Sequence, residues 1–398
     1  MTEPAPPPLE DLRYAVRADV YKAGVLAASL TRTPAGETEF AYADDYQGAD
    51  VAFTLPCSTI PVVTPGGGLP PFFAGLLPEG HRLTVLRHAV KSSADDELSL
   101  LLAVGADVPG DVQIVPAGSP PMEPPALSTE DPADLDFRSL AALPDRHGLP
   151  GMQAKASASM INTPLALAGS RAILKLDPAE HPHLVANEAL HLTHAARLGL
   201  DVARHALVKD AHQVPGLLVT RFDRVPEAGG QFRRLALEDA SQVLGIVPAA
   251  KYAVSAEDVA LALVARSSAP RVAARNLYLQ FLFAWLTGNG DLHAKNVSIL
   301  QSLDRQWQIA PMYDLPSTVV YRDMSMALRV DGRNRGLRRR HWDAFGAALD
   351  LPQRATRAAQ ALALSAAGTV DLSLAGFEGS VLRGAERELR HRRYELEG

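Results

Sequence analysis

The chain is poor in cysteine: Cys57 is the only one in 398 residues. One thiol cannot close an internal disulfide or build a thiolate zinc centre, so Cys57 is expected to be a small buried apolar residue. Long apolar runs are also missing. The strongest, Leu277 to Leu286, is interrupted by Gln280 and falls short of the ~20 residues that span a bilayer. Met1 to Arg13 is rich in proline and acid, with no basic start leading into an apolar stretch, so no signal peptide is expected. The expectation is a cytoplasmic protein without a membrane partner. Excess positive charge is absent too. Lys and Arg number 39 against 45 Asp and Glu, a net charge of -6, which excludes a global basic field for nucleic acid. Neither an internal repeat nor coiled-coil heptads occur.

What the chain does have is apolar material for large cores. Hydrophobic residues make up 47% and charged residues 21%, as in ordinary globular proteins. Its length is that of two to three domains at ~150 residues each. Residues 14 to 55 read as antiparallel strands, with Val25, Ala27 and Ser29 on one side and a turn at Thr33 to Glu37. Pro65-Gly66-Gly67-Gly68 lacks phosphate-loop spacing and runs into Pro70-Pro71, so it reads as a plain loop. A helical stretch follows over 72–104. In it Leu76, Leu77, Leu83, Leu86 and Val90 share a face, and Glu97 to Val104 makes a short helix closed by Gly105. Val112 to Val115 reads as a strand.

The six prolines between Pro116 and Pro132 mark an irregular connection and a boundary near residue 125. Beyond it, strands are expected at Arg171 to Leu176, Ala206 to Lys209 and Leu217 to Phe222, with a helix at Val185 to Leu198 closed by Gly199. From 237 onward the pattern is mainly helical. Ser255 to Asp258 resembles a capping box, Arg271 to Leu286 is an apolar helix, and 297–310 is a short hairpin. These elements divide the chain into 1–125, 126–230 and 231–398. The expected fold class is α+β, two-lobed and protein-kinase-like, with an N-terminal sheet-and-helix subdomain and a mainly helical C-terminal lobe.

Chemistry concentrates in Gly290-Asp291-Leu292-His293-Ala294-Lys295-Asn296. The Asp-x-x-x-x-Asn spacing is that of a kinase catalytic loop. There the Asp accepts the proton of an attacking hydroxyl and the Asn amide oxygen holds magnesium. Asp314 follows a hairpin that returns the chain toward its start, so it can supply a metal-binding carboxylate. Magnesium takes few protein ligands, and Asn296 with Asp314 is a plausible set. Lys175 stands in an apolar strand and needs a partner; Glu188 on the next helix can supply it. The bland readings are a snorkelling edge-strand lysine for Lys175 and a solvated helix face for Glu188. His293 is either a metal ligand or a structural histidine of the loop, and no partners for a zinc site accompany it. The basic run Arg333, Arg335, Arg338, Arg339, Arg340 reads as a solvated loop.

Taken together, these segments resemble the HipA family of toxin kinases. Gly290 to Leu300 with Tyr313-Asp314 is similar to the family's catalytic core, and Phe72 to Gly80 and Val112 to Pro116 to its N-terminal subdomain. Pro150-Gly151-Met152-Gln153-Ala154-Lys155 resembles its phosphate loop. Ile173-Leu174-Lys175, Asn187-Glu188 and Arg221-Phe222-Asp223-Arg224 also correspond in order and spacing. The resemblance implies ATP- and Mg2+-dependent phosphorylation of a protein Ser or Thr, with aminoacyl-tRNA synthetases as a substrate class. It implies neutralisation by a small helix-turn-helix antitoxin, through which alone DNA is expected to be met. It makes Asp291 the catalytic base and Asn296 and Asp314 the metal ligands. The nucleotide-binding set it implies is Gly151, Met152, Gln153, Ala154, Lys155, Lys175, Thr220, Arg221, Phe222, His293, Lys295, Asn296 and Asp314. Two departures stand out. Gly148 occupies about the place of a Ser whose phosphorylation silences some members, with Ser157 and Ser159 as nearby hydroxyls. Ala154 stands where many members carry Glu. Two other classes compete: a small-molecule phosphotransferase of the aminoglycoside-kinase type, in which residues 1–125 have no role, and a pseudokinase that only binds a partner.

Overall fold

A computed structural model of the chain describes residues 8–122, 131–141, 161–167 and 170–398. The expected boundary near 125, the phosphate-loop residues Gly151 to Lys155, and Gly148, Ser157 and Ser159 lie outside the described residues.

Strands β1 (Arg17–Lys22) and β2 (Val25–Arg32) form a hairpin. Its two turn residues, Ala23 and Gly24, have φ of 49° and 80°, the geometry that matches strand twist. The alternation Val25, Ala27, Ser29 is broken. Val20 pairs with Ala28 but Tyr21 with Leu26, which leaves Ala27 as an inserted bulge residue. Both Ala27 and Ala28 therefore turn inward while Val25 stays exposed. Next come β3 (Thr38–Tyr42), β4 (Val62–Thr64), α1 (Pro71–Ala74), α2 (Gly80–Val90), α3 (Glu97–Val104) and β5 (Val112–Pro116). The antiparallel sheet order is β4-β3-β2-β1-β5. Its core gathers Leu30, Phe40, Phe73, Leu101 and Ile114. The helical stretch is interrupted between α1 and α2, where Pro78 lacks the N–H that a helix needs, so Leu76 and Leu77 are buried in the connection. Cys57 corrects the expectation of burial. It is exposed, in an irregular segment where its N–H donates to Asp50 Oδ1 at 2.8 Å; such connections run over the surface.

Beyond α4 (Phe137–Ala141), strands β6 (Ile161–Leu167), β7 (Ser170–Leu176), β8 (His205–Lys209) and β9 (Pro215–Thr220) form an antiparallel sheet ordered β6-β7-β9-β8. Helix α5 (Leu184–Ala195) lies between β7 and β8 in sequence. The two-residue period of β9 decides what each face meets. Leu218 packs with Phe137, Leu165 and Leu174, whereas Leu217 and Val219 pack with Leu184, Val185 and Leu192 of α5.

A ribbon of β10 (Arg224–Pro226) and β11 (Phe232–Arg234) leads to β12 (Leu237–Asp239), α6 (Ala240–Leu244), α7 (Ala256–Arg266) and α8 (Pro270–Thr287). Then come β13 (Ser298–Gln301), β14 (Trp307–Ile309), α9 (Arg339–Ala348), α10 (Gln353–Gly368) and α11 (Gly379–Glu397). The sheet order is β12-β13-β14. Every residue of α8 from Leu277 to Thr287 is buried. A helix covered on all sides needs no polar face, which accounts for the apolar run. Among the described residues no helix is long and apolar enough to cross a membrane.

Candidate active site

A cleft of about 970 Å³, its open mouth included, separates the four-stranded sheet from the β12-β13-β14 sheet. Ile173, Val219, Phe222 and Leu237 give it apolar walls, and Lys175, Asp239, Asn296 and Asp314 give it charge and polarity.

Lys175 lies on β7, an inner strand. Its ammonium donates to both Glu188 carboxylate oxygens, at 2.7 and 2.9 Å, and to Asp314 Oδ1 at 3.2 Å. Glu188 is fully buried. Burial opposes the lysine's charge, but the Asp314 and Glu188 carboxylates outweigh it and raise Lys175 above its ordinary value, so it stays an ammonium. Both bland readings fail at these positions: the strand is not an edge and the helix face is not solvated. Asn187 anchors the same helix, since its side chain donates to the Ser317 carbonyl and accepts from the Ser317 N–H, each at 2.9 Å. Helix α5 is thereby tied to the segment just past Asp314, which itself has φ of 56°.

Asp291 sits in the turn after α8. Its N–H donates to Asn289 Oδ1 at 2.9 Å, and its Oδ1 accepts from the Tyr252 hydroxyl at 2.7 Å. Burial and then the neighbouring Asp291 carboxylate push the Tyr252 phenol well above its ordinary range, so the hydroxyl remains a donor. Gly290 is required for closeness. A Cβ there would meet Thr318 Oγ1 at 2.5 Å and the Ser325 carbonyl at 2.6 Å. Asn296 donates through Nδ2 to the Asp291 carbonyl at 3.0 Å, which leaves its Oδ1 outside that bond. Tyr313 donates to the Lys295 carbonyl at 2.8 Å and so fastens the segment leading to Asp314 onto the loop holding Asn296.

The other residues singled out in the sequence fall in different places. Thr220 and Phe222 line the cleft. Arg221 reaches it too, but its guanidinium is buried against Asp107 and Asp223. Lys295 also lines the cleft, and its ammonium is engaged by the Gly75 carbonyl at 2.7 Å and Asp239 Oδ2 at 2.8 Å. His293 is fully buried, and its Nδ1 accepts from the Lys295 N–H at 3.2 Å, a loop-shaping contact. Asp239 and Tyr252 were not legible as site residues, and Tyr313 entered only as the neighbour of Asp314 in the segment resembling the family's catalytic core. Only Asp239 carried a local signal: with Gln242 three positions on, it forms a capping box for α6.

Residues 147–370 match the sequence profile of the HipA-like C-terminal domain, and residues 18–115 that of the HipA N-terminal domain. Y4mE of Sinorhizobium fredii, a relative named as a kinase, is 34% identical over 343 residues, 79% of this chain and 81% of the relative. The serine/threonine-protein kinase toxin HipA of Shewanella oneidensis is 28% identical over 285 residues, 65% of this chain and 65% of the relative. The solved complex of HipA, HipB and operator DNA from Shewanella oneidensis contains a chain matching with TM-score 0.76 at 21% identity, covering 96% of this chain and 97% of that one; the likeness establishes the two-lobed α+β fold. With both domain profiles met in order and a relative 34% identical over most of its length, this chain belongs to the HipA-like kinase toxin family.

Proposed function

We propose that this protein transfers the γ-phosphoryl group of Mg-bound ATP to a Ser or Thr hydroxyl of a protein substrate. We further assign it a growth-inhibiting role, neutralised by a small helix-turn-helix antitoxin, with DNA met through that antitoxin. The observation that supports the transfer reading best is the convergence of Lys175, Asn296 and Asp314 on one cleft with Asp291 bonded to Asn296. These residues come from separate elements, and a family kinase name in relatives agrees with the chemistry.

The residues fit the nucleotide and its metal. Two carboxylates, Glu188 and Asp314, share one ammonium, so the cleft keeps an excess of negative charge that a cation would relieve. Among the described residues no group of three or more His, Cys, Asp or Glu side chains converges as a metal cage, and magnesium characteristically accepts few protein ligands. Asn296 and Asp314 would hold the ion, which when bound neutralises phosphate charge. Lys175, fixed by Glu188, presents its ammonium to the phosphates in a site where low polarity strengthens the contact. Ile173, Phe222 and Leu237 offer apolar surface to the base, near Thr220. Asp291 accepts the proton of the incoming hydroxyl, held for that purpose by Asn289 and Tyr252. Residues 151–155 are assigned to the phosphates by sequence correspondence.

Transfer of γ-labelled phosphate from Mg-ATP into a bacterial lysate tests the reading. The wild type should label one or a few protein bands and Asp291→Asn none. Label recovered only in small molecules would instead favour a small-molecule phosphotransferase.

A further inference from the structure

The segment Phe72 to Gly80 contributes few groups to the cleft, yet its polar atoms reach deep into the catalytic lobe. The Phe72 carbonyl accepts from Gln242 Nε2 at 2.9 Å, the Gly75 carbonyl from Lys295 Nζ at 2.7 Å, and Glu79 Oε2 from Lys251 Nζ at 2.6 Å. Both lysines are buried, with side chains 1% exposed for Lys295 and 0% for Lys251. A buried ammonium is costly unless paired, so these contacts hold the two parts together. Gly75 permits the approach, because a Cβ there would fall 2.9 Å from Gln242 Cγ.

Each lysine adjoins a site residue. Lys295 precedes Asn296. Lys251 precedes Tyr252, whose hydroxyl donates to Asp291 Oδ1. The Lys251 ammonium also lies 5.5 Å from the centre of the Tyr252 ring, within cation–π range. The same ring stands edge-on to His293, with centroids 5.0 Å apart. The Lys251 carbonyl accepts from the Ala294 N–H at 3.3 Å. A continuous chain of contacts thus runs from an N-terminal carboxylate to the candidate base.

We propose that Tyr252 is a positioning residue for the Asp291 carboxylate and that Glu79, from the N-terminal subdomain, holds Tyr252 in place through Lys251. The inference rests on Asp291 being the base. It gives the N-terminal subdomain a part in the transfer step, exerted through Lys251 and Tyr252.

The test is a double-mutant cycle on label transfer from Mg-ATP into lysate protein. Rates are normalised to nucleotide sites counted by binding of N-methylanthraniloyl-ATP, which removes any misfolded fraction. Tyr252→Phe deletes one oxygen and should lower apparent kcat ~10- to 100-fold, the size of effect that a small misplacement of a reacting group produces. Apparent KM and Kd for ATP should stay within ~2-fold, since ground-state binding is untouched. Glu79→Gln should cost ~3- to 10-fold, and the double variant no more than Tyr252→Phe alone, because residues acting through one another are not additive. Multiplying losses, or losses that vanish on normalisation, would show a merely structural role and overturn the proposal. Unchanged rates would do the same. Asp291→Asn is measured alongside. If it is silent while Tyr252→Phe is normal, only the positioning chain fails. If it keeps the wild-type rate, the base assignment fails and takes this inference with it.

Discussion

Two clusters of buried charge lie near the cleft, and they differ in balance. In the cleft, the single Lys175 ammonium serves two carboxylates, Glu188 and Asp314. In the second, the carboxylates of Asp107 and Asp223 are met by Arg221 and Arg224, with Arg234 3.7 Å from Asp107. The first cluster carries surplus negative charge beside open space; the second has cations enough for its carboxylates. It also joins parts of the chain that are far apart, since Asp107 and Arg221 are separated by 114 positions. Burial of charge alone therefore does not mark a site. A deficit of counter-charge facing a cleft is the informative feature, because a bound cation can relieve it.

The contrast can be broken from either side. Asp107→Ala leaves two buried guanidiniums to share the Asp223 carboxylate, one positive charge uncompensated, and should cost ~3–5 kcal/mol of stability. Calorimetry would read this as a fall in Tm, while transfer per nucleotide site stays within a few-fold. A variant as stable as wild type would show that the Asp107 pairing contributes nothing to holding these segments together. Lys175→Met should reverse the pattern. Transfer should fall ~10²–10³-fold, as when a preorganised charge is removed from a transition state. Stability should suffer less than in Asp107→Ala, because the two remaining carboxylates can share a proton. Equal damage to Tm from both variants would erase the distinction.

Acid sharpens the same comparison with a smaller effect. Burial opposes the charge of Asp223, but the Arg221 and Arg224 guanidiniums outweigh it and hold its carboxyl at about 2. A folded-state value below the unfolded ~3.9 means that the stabilisation is present above about pH 4. It fades as pH falls toward 2, by roughly 2–3 kcal/mol. Urea denaturation at pH 5 and pH 3 should show roughly half of this loss, ~1 kcal/mol, in the wild type and less of it in Asp223→Asn. Identical slopes would contradict the assignment.

Local pattern made much of the fold legible. The apolar helix expected at 271–286 runs over Pro270–Thr287, and the strand expected at 171–176 over Ser170–Leu176. The hairpin after the Asp-x-x-x-x-Asn loop is present as Ser298–Gln301 with Trp307–Ile309. The Lys175–Glu188 pair was readable because a lysine between apolar neighbours demands a partner, and a following helix lies within reach. Tyr252 and Glu79 were not readable. Tyr252 meets Asp291 across 39 positions, and Glu79 meets Lys251 across 172; such contacts arise from docking of finished elements, which no short-range period encodes. The bulge at Ala27 escaped for a related reason, since an inserted residue is defined by the register of its partner strand.

The most direct test separates binding from chemistry. Calorimetric titration of ATP with magnesium into Asp291→Asn is set beside the transfer of labelled phosphate by the same preparation. With Asp291 as the base, ATP affinity should stay close to wild type and transfer should fall ~10²–10⁴-fold, the contribution of a positioned base. Transfer at the wild-type rate, or loss of ATP binding together with transfer, would contradict it.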